Sequence, residues 1–230
     1  MDVEEDVRRN VSQVLERVQD AARGRPVVVV AATKTQPPHL VRAAVAAGIR
    51  DIGENRVQEA ADKKDELGDL EVRWHMIGRL QRNKVKAAVS LFDLIQSVDS
   101  LAIAAAIERE ASARGIVMPV LVEVNIGMEN TKGGIDPAGA ATFVEQLGEF
   151  PHLRVEGLMA VPPASPDPES SRPFFRRMRK LQSEIASRGF EHAPARILSM
   201  GMSADYVVAI EEGATMVRIG TAIFGPRAGR

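Results

Sequence analysis

Apolar positions along the chain fall into two alternating patterns. Short segments carrying β-branched and other apolar residues, the first of them the continuous run 27–32, predict strands at residues 27–32, 50–53, 73–78, 91–96, 119–125, 154–159, 196–199 and 216–219. Between them, apolar residues recur every three or four positions, which predicts helices over 40–47, 57–66, 83–89, 101–113, 137–147, 169–187 and 204–212. Gly48, Gly115, Gly189 and Gly213 stand where these helices should stop, as left-handed caps do. Ahead of the first strand, Val7, Val11, Val14, Leu15, Val18 and Ala22 share one face of a further helix.

Strands that alternate with helices form parallel sheets, because each crossover helix returns the chain in the same direction. Eight such units predict a single α/β domain over residues 1–230, a TIM-like (β/α)8 barrel. An open doubly wound sheet would more often carry a Gly-x-Gly-x-x-Gly turn after its first strand, and none follows residue 32. The helix within residues 1–24 is expected to pack on the outside of the barrel or to plug one end. In such barrels the loops after the strands carry the chemistry, so strand C-termini are the places to search.

Charge and composition remove several classes. Lysine and arginine nearly balance aspartate and glutamate, for a formal net charge of -1, which argues against a dedicated nucleic-acid binder. Basic segments at 79–86 and 174–180 read as helix surfaces, with Phe174, Met178, Leu181 and Ile185 turned to the core. No cysteine is present, and the four histidines form no His-Glu-x-x-His pattern, so no metal site is expected. No run approaches the ~20 apolar residues of a membrane span. The acidic opening Met1 to Asp6 lacks the features of a signal peptide, and a cytoplasmic location is expected. The proline-rich stretch 162–168 predicts a surface loop at the pocket rim.

Lys34 follows the first apolar run with only Thr33 between and is read as ending that buried strand. Burial disfavours an ammonium and leaves a better nucleophile, the setting in which lysines form imines with carbonyl compounds. A strand-end lysine is equally an ion-pair partner or a phosphate contact, and position alone favours the structural role. Other strand ends carry Gly53 to Arg56, Gly78 to Gln81, Asn125 to Gly134, Ser199 to Ser203 and Arg218 to Thr221. The last two groups suit a phosphate, since Gly201 and Gly220 permit close backbone approach while Ser203 and Thr221 add hydroxyls near helix starts. Asn55 and Ser203 are also plausible plain helix caps, and Arg218 a partner for Glu211, Glu212 or Asp205. His75, at the end of the third strand, is a candidate base or a satisfied core histidine.

Six segments in order along the chain resemble one family: Thr33 to Thr35, Asp51 to Glu59, Trp74 to Lys84, Gly157 to Met159, Leu198 to Asp205 and Val217 to Gly225. They look like the pyridoxal-phosphate homeostasis proteins, the YggS/PROSC-like family, related to the N-terminal barrel of alanine racemase. The resemblance implies pyridoxal 5'-phosphate (PLP) as cofactor, joined as an imine to Lys34. It also implies phosphate contacts from Ser203, Gly220 and Thr221, Arg218 at the pyridine nitrogen, and Asn55 along the cofactor's face. Thr35-Gln36 replaces the more familiar continuation after the lysine.

The role implied is PLP binding for vitamin B6 homeostasis, buffering the aldehyde or delivering it to PLP-dependent apoenzymes, with no catalytic residue assigned. An arginine at the ring nitrogen gives a hydrogen bond without readily leaving a proton there, so the ring is a weaker electron sink than it is beside a carboxylate. Weak racemisation of amino acids is the alternative. Related racemases take a second acid/base tyrosine from an additional domain. Here the only tyrosine, Tyr206, falls within a predicted helix, where packing is the simpler role.

Overall fold

Parallel pairing runs unbroken from β1 through β8 and back to β1, so the sheet closes into a barrel in strict chain order. The strands of this computed structural model, which describes residues 2–226, are β1 Val28–Ala32, β2 Asp51–Glu54, β3 Arg73–Met76, β4 Leu94–Val98, β5 Met118–Glu123, β6 Leu153–Met159, β7 Ile197–Ser199 and β8 Met216–Ile219. The helices are α1 Val3–Ala22, α2 Pro38–Ala46, α3 Val57–Leu67, α4 Val85–Leu91, α5 Leu101–Arg114, α6 Ala140–Gln146, α7 Arg172–Ser187, α8 Tyr206–Glu211 and the short α9 Thr221–Phe224.

Residues on a strand alternate between two environments. Val30, Leu94, Leu121, Met159 and Met216 meet one another inside the barrel, apart from the main apolar cluster. Their neighbours Val29, Ala31, Ile52, Ile95, Val217 and Ile219 pack outward in the layer that includes the helices. Inner and outer faces are both covered, which is why the strands read as continuous apolar runs.

Several boundaries differ from those read in the sequence. β4 begins at Leu94 rather than residue 91, because α4 runs on through Leu91 and the Asp93 carboxylate accepts the Trp74 N–H at 2.7 Å between the two elements. β1 stops at Ala32, so Lys34 lies in the turn beyond the strand rather than ending it. The helix read over 204–212 starts at Tyr206, and Ser203 belongs to the preceding turn. In α7 it is Phe175 that is buried with Met178, Leu181 and Ile185, while Phe174 is half-buried. The four glycines read as caps all have positive φ, from 64° at Gly115 to 116° at Gly48.

α1 packs on α2, α8 and α9, outside the sheet, and leaves the barrel ends unplugged by this helix. Val7, Val11, Val14, Val18 and Ala22 are buried, and Asn10 Nδ2 donates to the Ile223 carbonyl at 3.0 Å, tying α1 to α9. Valine is a modest helix former, so this helix depends on that packed face rather than on propensity. Among the described residues no helix is long and apolar enough to cross a membrane.

Candidate functional site

The β1–β8 pairing sets Val30 beside Arg218 and Ala31 beside Ile219, which brings the turn after β1 against the loop after β8. Lys34 is half-buried in that turn. Its neighbour Thr33 is fully buried, and its Oγ1 donates to Glu54 Oε1 at 2.5 Å. Its other neighbour, Thr35, has φ 66°, a conformation costly for a β-branched residue, and its N–H is taken by Glu59 Oε1. The backbone is therefore bonded firmly on both sides of the lysine.

Arg218 is inward-facing on β8 and buried. It donates through NH1 to Ser199 Oγ and through NH2 to the Ala160 carbonyl at 2.9 Å. Burial pushes the guanidinium down to about 10, with Glu123 and Asp205 pulling it back up, so it remains a cation at neutral pH. The ion pairs open to it in sequence go elsewhere: Glu211 and Glu212 bind Arg172 at 2.7 and 2.8 Å. The Asp205 carboxylate accepts from Met202 N at 2.8 Å and Ser171 Oγ at 3.0 Å.

Behind Arg218 the barrel interior carries a one-way series of hydrogen bonds. Ser199 Oγ donates to Gln96 Oε1 at 2.7 Å, and Gln96 Nε2 donates to His75 Nδ1 at 3.0 Å. His75 Nε2 then meets Asp51 Oδ1 at 2.8 Å. A carboxylate can only accept, so Nε2 carries the proton and Nδ1 is the bare acceptor. Both ring nitrogens of His75 are committed, as a satisfied core histidine requires. Burial pushes Asp51 up, but hydrogen bonds from His75 and Arg73 outweigh it and hold the carboxyl below its ordinary range.

Ser203 joins the last two loops. Its Oγ accepts the backbone N–H of Gly220 at 3.2 Å and of Ala222 at 3.1 Å, which leaves its own O–H to donate. Gly201 has φ 91°, and a Cβ there would lie 2.5 Å from that of Ala209, so only glycine fits the turn into α8. Thr221, the first residue of α9, is exposed. A hydroxyl donor held in a glycine-bearing loop suits a phosphate ester, and a buried guanidinium with N–H donors beyond those given to Ser199 and Ala160 suits a ring nitrogen.

Asn55 opens the loop after β2 and is half-buried; a Cβ on Gly78 would come within 2.5 Å of the Asn55 carbonyl, so that glycine lets the two loops pack. Asn55 lines a cavity of about 440 Å³ with Arg56, Arg79 and Lys84. A larger one, about 570 Å³, opens beside Ser203, Asp205 and Tyr206 against Arg17 of α1 and Arg23, which follows that helix. A third, about 230 Å³, borders Glu123, Asn125 and Lys132. The first and third lie among loops at the C-terminal ends of strands, where barrels carry their chemistry, whereas the largest of the three runs between α1 and α8 on the outer layer. Burial, with the like charge of Asp99, pushes the Glu123 carboxyl up. No group of His, Asp and Glu among the described residues is arranged to hold a metal ion.

Lys34, Arg218, Gly220 and Ser203 thus converge on the β1, β7 and β8 ends, with Asn55 and Thr221 on the surrounding rim. Asp51, Gln96, Ser199, Glu54, Glu59 and Lys63 were not singled out as site residues in sequence. Alternation was the available signal for Asp51, Gln96 and Ser199, since each is a polar residue at an inward position two away from, or in register with, an apolar one.

The family model for the alanine racemase N-terminal domain matches residues 4–228. The pyridoxal phosphate homeostasis protein of Aquifex aeolicus is 46% identical over 222 residues, covering 94% of this chain and 96% of the relative. Its namesake in Escherichia coli K12 is 38% identical over 230 residues, covering 96% and 97%. The structure of PipY from Synechococcus elongatus with PLP bound superposes with TM-score 0.82 at 37% identity, over 91% of this chain and 99% of that one. Alanine racemase from Corynebacterium glutamicum shares the fold at TM-score 0.77 and 16% identity, over 97% of this chain and 62% of its own.

Proposed function

The chain belongs to the pyridoxal phosphate homeostasis protein family, and from that premise we propose that it binds PLP in a cytoplasmic role, holding it reversibly at Lys34 and buffering or delivering it. Bound PLP supplies an aldehyde, with which a neutral amine condenses reversibly with loss of water. The observation that carries the reading is the pairing of β1 with β8, which sets Lys34, Arg218 and the Ser203-bridged loops around one end of the barrel. Lys34 supplies the amine from a turn bonded on both sides. Ser203 directs its hydroxyl proton, and Gly220 and Thr221 their loop, toward the phosphate ester. Arg218 gives an N–H to the pyridine nitrogen and keeps its charge. Asn55 closes one side of the ring.

A guanidinium at the ring nitrogen favours storage over carbanion chemistry, because the ring is not left protonated and its pull on electrons stays weak. Reversible covalent capture also suits a carrier: the reactive aldehyde is masked until another amine takes it. PLP-dependent apoenzymes are the natural recipients.

Titration of wild type and Ser203→Ala with PLP tests the phosphate assignment. Loss of a charge-assisted hydrogen bond should weaken affinity about tenfold or more, and inorganic phosphate should compete with PLP in wild type. Equal affinities in the two proteins, with no competition by phosphate, would reject Ser203 as the phosphate donor.

A further inference from the structure

An ion triplet, with Lys63 and Glu54 buried and Glu59 partly exposed, packs against the turn that carries Lys34. Lys63 Nζ donates to Glu54 Oε1 at 2.6 Å, to Glu59 Oε1 at 2.9 Å and to the Thr33 carbonyl at 2.6 Å. The Lys63 side chain is only 7% exposed and that of Glu54 0%. Glu59 and Lys63 are one turn apart on the same face of α3, while Glu54 ends β2. The same two carboxylates reach the backbone or side chain of the residues flanking Lys34: Glu54 accepts from Thr33 Oγ1 and Glu59 from Thr35 N. Lys63 closes the set on the Thr33 carbonyl, which also receives Gln36 N at 2.9 Å.

Burying the Lys63 and Glu54 charges is costly, and an apolar contact would anchor α3 to the barrel as well or better. What an apolar contact would not supply is a fixed acceptor for the Thr35 N–H, which holds that residue at its left-handed φ, or a donor for the Thr33 carbonyl. Those two bonds set the path of the backbone through Lys34 and hence the direction in which its side chain leaves the turn. Lys63 itself is spent, with each N–H given to an acceptor.

We propose that Glu54, Lys63 and Glu59 are positioning residues that hold the Lys34 turn in the geometry needed to retain a carbonyl ligand at its amine. They act through the Thr33 and Thr35 backbone. The proposal rests on Lys34 as the attachment point for PLP.

Glu59 is the useful place to test it, because its side chain is 24% exposed and its loss leaves the buried Glu54–Lys63 pair in place. Glu59→Ala removes the acceptor for Thr35, whereas Glu59→Gln keeps a carbonyl oxygen there. Two readouts are needed: amide hydrogen exchange of residues 33–36 in ligand-free protein, and the rate at which PLP passes from loaded protein to an excess of a scavenging amine. In Glu59→Ala, exchange at Thr35 and the rate of PLP loss should each rise about tenfold, while the β strands keep their protection. In Glu59→Gln both should stay within about twofold of wild type. An unchanged rate of loss despite a loosened turn would overturn the proposal, as would loosening spread evenly over the barrel. Wild type that never retained PLP at Lys34 would instead remove the underlying reading, and exchange at Thr35 would still decide whether Glu59 fixes the turn.

Discussion

Asp51 ends a series of side chains whose hydrogen bonds all run one way, from the Arg218 cation through Ser199, Gln96 and His75 to a carboxylate. The anion at the far end selects the His75 tautomer, and the tautomer in turn orients the Gln96 amide and the Ser199 hydroxyl that receives Arg218. Since the folded protein holds the Asp51 carboxyl below its ordinary range, the ionised form is favoured by folding. Its contribution is complete above the ordinary value of 3.8 and is lost as the pH falls through the lower folded-state value. Asp51→Asn should therefore cost roughly 1–3 kcal/mol at neutral pH. Urea unfolding at a series of pH values should show that gap narrowing below the carboxylate range; a gap that widened there would contradict the assignment. Lys34, Arg218 and Ser203 stood out in sequence because Lys34 lies just past an apolar run, Arg218 interrupts one, and Ser203 follows a glycine by two residues. The series behind Arg218 was not, because its members come from four different strands and only barrel closure brings them together.

At the scale of the element, strand and helix positions were readable because apolar continuity and three-to-four spacing differ so clearly, and the ends were less so. Leu91 and Phe92 carry apolar side chains that either element could use; α4 takes Leu91, and the Asp93 carboxylate bonded to Trp74 N leaves β4 to begin at Leu94. The turn at 203–205 likewise escaped notice, since Asp205 accepts from Met202 N and delays the helix to Tyr206. Gly157 shows how tightly the barrel is closed. A Cβ there would lie 1.8 Å from the Ile197 carbonyl, on the strand with which β6 pairs. Gly157→Ala cannot be absorbed by side-chain motion and should lower stability by roughly 3–5 kcal/mol, read as a fall in the urea midpoint. A variant within about 0.5 kcal/mol of wild type would show that β6 and β7 are less closely packed than this contact implies.

For the molecule as a whole, the count of eight strand–helix units led to a closed barrel, and the observed pairing of β8 with β1 completes it. Closure makes the first and last strands neighbours, so the turn carrying Lys34 and the strand carrying Arg218 lie side by side. It also places α1 on the outside, against α2, α8 and α9, where it borders the large cavity beside Ser203. What sequence periodicity could not supply is the path of the loops, since the turn at Thr35 and the bridge from Ser203 to Gly220 and Ala222 depend on contacts between distant segments. The central claim, that PLP is held at Lys34, is tested most directly by loading the protein with PLP, reducing with borohydride and mapping the modified peptide by mass spectrometry, for wild type and Lys34→Ala in parallel. The account predicts a visible absorbance band in wild type, one modified residue at Lys34, and neither in the variant. A band that persisted in Lys34→Ala, or label scattered over the other lysines, would contradict it.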